Sequence, residues 1–149
     1  MVPTRSVPAW VVLLGVLCLL VGYPAARSFV LFGIRTKASE APHDLSLIRT
    51  AELAYFKEHG TFVAAGPSPS EKPDPQKKQW APEDGFRALG WKPEGTVYHQ
   101  YEVRLTGPRG ALLTARGDID GDGRVAQYQL ELIADGPRGE IKKLDEDVY

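Results

Sequence analysis

The residues of this chain best placed for chemistry are Asp118, Asp120 and Asp122, which alternate along a short run from Gly117 to Val125. Alternate positions in a tight loop point several carboxylate oxygens at one centre, which suits a hard cation such as calcium. Without a cation, three such charges repel each other. Asp and Gly at this density also make a good hairpin turn by themselves. The sequence leaves both readings open.

The spacing matches the first half of an EF-hand loop, with Arg124 offering its backbone carbonyl and Val125 the apolar plug. The candidate metal ligands are therefore Asp118, Asp120, Asp122 and Arg124, and the candidate cofactor is Ca2+. The second half of the pattern fails, because Gln129 stands where a bidentate glutamate is wanted. Strands rather than helices are expected on both flanks, so Gln129 is not expected to fold back onto the ion. Affinity is expected at the weak extracellular end, roughly 0.1–1 mM.

Little else suggests a reaction. His43, His59 and His99 lie far apart with no ligand spacing. The chain has no glycine-rich phosphate loop and no Gly-x-Ser-x-Gly elbow, and its one cysteine, Cys18, lies in an apolar run. Glu102 and Glu131 could pair across strands, but solvated strand faces carry such carboxylates routinely. Trp80 and Trp91 offer either a ligand patch or core packing beside a short helix. The expectation is a non-enzyme, and the sequence identifies no small-molecule substrate. A formal net charge of −1 gives no field that would favour nucleic acid.

These residues must be positioned by a chain whose first third is unusual. From Pro8 to Ile34 the sequence is almost wholly apolar, with Arg27 its only charge. About 20 apolar residues cross a bilayer, and Trp10 to Phe29 supplies them, with Arg27 able to snorkel to the interface. Residues 1–34 therefore read as a retained membrane anchor and its flank, so the lipid bilayer is the first expected partner. A cleaved signal peptide is the alternative, but a cut after Ala26 would place Pro24 where a small residue is wanted. Charge decides orientation poorly, since Arg5 lies on one side and Arg35 and Lys37 on the other. All 19 acidic residues lie at or beyond Glu40.

Residues 35–149 have the length of one small domain. An amphipathic helix is expected over 40–59, with Leu47, Ile48, Ala51, Ala54 and Tyr55 on its buried face and Gly60 as its stop. Pro24 and Pro42 either kink a single spine or divide it into two helices joined by a loop. A proline-rich exposed loop follows over 66–80, then a short helix over 82–90 with Phe86 and Leu89 one turn apart. A β-meander of about four strands completes the chain over 96–144. Val97, His99, Tyr101, Val103 and Leu105 face one way, as do Ala126, Tyr128, Leu130 and Leu132. The fold class is α+β, a long helix packed on an antiparallel sheet.

In this order of parts, the stretches Arg35 to Ala41, Leu45 to Phe62 and Phe86 to Trp91 resemble bacterial type IV pilins and pseudopilins. The resemblance implies a pilin-like roll, with the single-pass anchor in the bacterial inner membrane and the domain in the periplasm. It implies a structural or interaction role in a type IV pilus or type II secretion-like system. Other pilins or assembly proteins would be its partners. Some pseudopilins bind calcium in a loop placed like Asp118 to Asp122. A calcium-dependent binding or sensing module on the same roll is the alternative function. The chain departs from the family in lacking the cleavage glycine followed by a glutamate five positions on. Gly15, Gly22 and Gly33 are not followed by one. That puts processing and filament entry in doubt, and the amino-terminal segment is expected to stay uncut.

Overall fold

The computed structural model describes residues 8–136 and 139–144. The chain divides into two compact units, one up to Gly33 and one from Ile34 onward. In the first unit, helix α1 (Ala9–Ala38) begins and runs through Pro24 without ending. Its large apolar side chains from Trp10 to Phe32 are almost all exposed, and it is long and apolar enough to cross a bilayer.

In the second unit, helix α2 (Glu40–His59) follows α1 after one residue, Ser39, which keeps helical dihedrals of φ −68° and ψ −14°. The Ser39 N–H donates to the Arg35 carbonyl, and His43 N–H donates to the Ser39 carbonyl. The missing ladder bond is the one Pro42 cannot donate to the carbonyl four residues back. No loop separates the helices here, so the divided-spine alternative is set aside for this junction. At its far end α2 stops at Gly60, whose N–H donates to the Phe56 carbonyl at 2.8 Å.

The sheet has five antiparallel strands rather than about four, in the order β1-β4-β5-β6-β7. These are β1 (Ala65–Ser68), β4 (Gln100–Gly107), β5 (Gly110–Gly117), β6 (Ala126–Ile133) and β7 (Ile141–Lys143). A separate pair joins β2 (Lys78–Gln79) to β3 (Thr96–Val97). The extra strand, β1, arises within the stretch expected to be an exposed proline-rich loop. Proline cannot donate to a ladder, but an edge strand tolerates it, and β1 lies at the sheet edge beside β4. Ala65 and Ser68 are buried there.

Helix α2 lies against β5 and β6, but its buried face differs from the expected one. Ala41, Asp44, Leu45, Ile48 and Glu52 are buried. Leu47 is 44 % exposed, Ala54 is exposed, and Ala51 and Tyr55 are only half-buried. The buried stripe is rotated because two carboxylates on it find donors inside, at Tyr101 and at the Val63 backbone.

The inward strand positions follow the alternation, with Val97, His99, Tyr101, Val103, Ala126, Tyr128, Leu130 and Leu132 all buried. Leu105 breaks it, at 47 % exposed near the strand end. The strand expected from Thr96 to Leu105 is also interrupted at Tyr98 and His99. Both backbone N–H groups there donate to Glu40 Oε1, at 2.8 and 3.1 Å, instead of to a neighbouring strand. Helix α3 (Asp84–Ala88) falls within the expected 82–90. It buries Phe86 in a ring cluster with Trp80 and Trp91, so the tryptophans serve the core.

Candidate functional site

The aspartate run forms the connection from β5 to β6, two strands in register from Gly110 opposite Ile133 to Gly117 opposite Ala126. That pairing fixes both ends of the loop. Gly121 and Gly123 adopt φ of 78° and 83°, a left-handed backbone that a side chain would strain. The loop therefore turns twice within a few residues.

Asp118 is nearly buried and holds the loop from inside. Its Oδ1 accepts the Gly121 N–H at 2.9 Å and its Oδ2 accepts the Gly123 N–H at 3.2 Å. Asp120 Oδ1 accepts from Asp122 N–H at 3.3 Å, and Asp122 Oδ1 accepts from Arg124 N–H at 2.7 Å. Oxygens of Asp118, Asp120 and Asp122 lie within 4.8 Å of one another. Asp120, Asp122 and Arg124 are exposed. These bonds use one oxygen each of Asp120 and Asp122 and leave the other available to a hard cation. Gln129 is held in β6 opposite Thr114 and Lys142, so a strand, not a loop, carries the position of the missing glutamate.

Comparison with protein-family models, with curated proteins and with solved structures gave no match. The reading of the site rests on its geometry.

A second polar cluster escaped the sequence reading. Glu40 and Asp44 sit one turn apart at the start of α2 and meet Tyr101 from β4 and His99 from the break just before it. His99 Nδ1 lies 3.0 Å from Glu40 Oε1. The Tyr101 hydroxyl lies 2.8 Å from Asp44 Oδ2 and 3.3 Å from Glu40 Oε1. Burial alone would raise the Glu40 carboxyl, but the hydrogen bond and attraction from His99, with the two backbone donors, hold it below its usual value. Asp44 is pushed up, chiefly by burial and then by the Glu40 charge, against the Tyr101 bond. Burial, then the two carboxylates, keep the Tyr101 phenol protonated. His99 is fully enclosed and its Nε2 has no partner among the described residues. A Cβ added at Gly117 would come within 2.9 Å of that nitrogen, so the entry to the aspartate loop is packed directly on His99. The alternation had placed His99 and Tyr101 inward. Their pairing with the helix was the missing signal.

Glu52 is the second missed group. It is fully buried, its Oε2 accepts the Val63 N–H at 3.1 Å, and its Oε1 has no partner among the described residues. Burial pushes its carboxyl up to about 7, against that one hydrogen bond. None of these groups forms a nucleophile–base pair open to a substrate. They tie α2 to what it covers.

Proposed function

We propose that this chain is a membrane-anchored structural or interaction protein, carrying a small periplasmic domain on a single-pass anchor in a bacterial inner membrane. The observation that carries the reading is α1, a helix of 30 residues whose apolar side chains are exposed and which gives way to α2 at Ser39. Exposed apolar side chains over that length suit lipid and are costly in water. The pilin-like roll belongs to this proposal. An α2 laid on an antiparallel sheet is compatible with it, and the likeness to pilin spines supplies the rest. Partners would be other pilins or the assembly proteins of a pilus or secretion system, and no enzymatic role is proposed. Membrane fractionation followed by protease digestion from the periplasmic side tests this. An alkali-resistant membrane chain whose domain is digested only from that side is expected. A soluble chain beginning at Arg27 would overturn the anchor in favour of export.

A second reading is favoured by the convergence of Asp118, Asp120 and Asp122 within 4.8 Å. In it the domain is a calcium-dependent binding or sensing module. Loss of a partner on chelation would favour the module, whereas loss of stability alone would favour the structural role.

A further inference from the structure

We propose that Lys37, Tyr98 and Lys77 form a docking surface for the anionic headgroup of a phospholipid. This rests on the anchor reading above and adds a headgroup preference to it.

Lys37 lies in the last turn of α1, three residues beyond Ile34, or about 4.5 Å along a helix axis. Lys77 precedes β2 and is remote in sequence. Both ammonium groups nevertheless lie 5.0 Å from the centroid of the same ring, that of Tyr98. At most twice that distance separates them. Like charges gathered this closely repel unless an anion lies between or beside them. Neither lysine makes an ion pair among the described residues, whereas the neighbouring Lys78 is paired with Asp74 and Glu71.

Acids and a further lysine lie near this pair. Glu40, His43, Asp44 and Glu94 share with Lys77 a groove of about 560 Å³ beside α2. Glu40 Oε1 is already engaged by Tyr98 N–H, His99 and Tyr101, and Asp44 is taken by Tyr101. Those two oxygens are turned toward the core, and Lys92 lines the same groove as Glu94.

Charge complementarity and position name the occupant. Lys37 follows the apolar span within a few residues of sequence, and Tyr and Lys are both favoured in the headgroup layer. A lysine near an anionic surface contributes about a fivefold preference, so the pair should give about 25-fold at low salt.

The test uses the full chain in neutral detergent, offered equal phosphatidylglycerol and phosphatidylcholine, with the lipid retained after purification measured by mass spectrometry. Enrichment of phosphatidylglycerol, declining in high salt, is expected for the native chain. Lys37→Gln with Lys77→Gln should bring the ratio near unity, and Tyr98→Leu, which keeps both charges, should lower it severalfold. A matched pair, Lys72→Gln with Lys142→Gln, should leave it unchanged, and melting curves identify any variant that fails to fold. Equal retention of the two lipids by the native chain, or an unchanged ratio in the folded Lys37 and Lys77 variant, would overturn the proposal. Loss of the preference in millimolar inorganic phosphate at constant ionic strength would overturn the lipid assignment in favour of a free-anion site. Extraction of the chain from membranes by alkaline carbonate would sink the anchor itself. An integral chain without the lipid preference sinks only this surface.

Discussion

The Tyr101 hydroxyl donates to Asp44 Oδ2 at 2.8 Å, joining β4 to the buried face of α2 across 57 residues of sequence. Tyr101 is fully buried and Asp44 nearly so, so the bond forms away from water, where an unpaired carboxylate is costly.

Tyr101→Phe should therefore destabilise the domain by about 1–3 kcal/mol, since it leaves Asp44 without its donor. The loss should be smaller in acid, where Asp44 becomes protonated and no longer needs the bond. Denaturant melts of the full chain in detergent across a pH series measure both effects. Equal stability of the two proteins at pH 8 would refute the role given to this bond.

Glu52 sets the sign of one pH dependence. Its carboxyl is raised in the folded chain from 4.5 to about 7, so between those values the folded state holds a proton that the unfolded chain releases. Stability from this group is full below pH 4.5 and is lost as pH rises through 7, with a slope of at most about 1.4 kcal/mol per pH unit. Glu52→Gln should flatten that slope and stabilise the domain at pH 8. A slope that persists in Glu52→Gln would assign it to another group.

The rotated helix face makes a paired prediction. Ile48→Asp places an unpaired charge at a position 1 % exposed and should cost about 4 kcal/mol. Leu47→Asp, one residue away on the exposed side, should change stability by about 0.5 kcal/mol or less. Thermal melting that ranks the two variants the other way would restore the face centred on Leu47.

In the aspartate loop, Asp120→Asn and Asp122→Asn should remove calcium binding while leaving the melting temperature of the calcium-free chain nearly unchanged. Asp118→Asn should lower that temperature, because Asp118 supports the Gly121 and Gly123 N–H groups whether or not an ion is bound. Isothermal titration of the native chain should give a dissociation constant of roughly 0.1–1 mM. No calcium heat at millimolar concentration would remove the metal reading and leave a self-capped turn.

Features that depend on local pattern are legible in the residues alone. The apolar run of α1, the stop of α2 at Gly60, the inward positions of β6 and the aspartate spacing are read from neighbours a few residues apart, because helix and strand periodicity are local properties. Tertiary structure decided where polar groups are buried. Hydrophobic periodicity assigns Asp44 and Glu52 to solvent, yet Tyr101 and the Val63 N–H draw them inward and turn α2 away from Leu47. Likewise Glu40 interrupts a strand that alternation would continue, by taking the N–H groups of Tyr98 and His99 from 58 and 59 residues away. Strand β1 exists because β4 offers an edge that tolerates proline, and Lys77 joins Lys37 only through the ring of Tyr98. A buried polar group is stable only with its partner, and a partner supplied from across the fold leaves no local trace in the residues beside it.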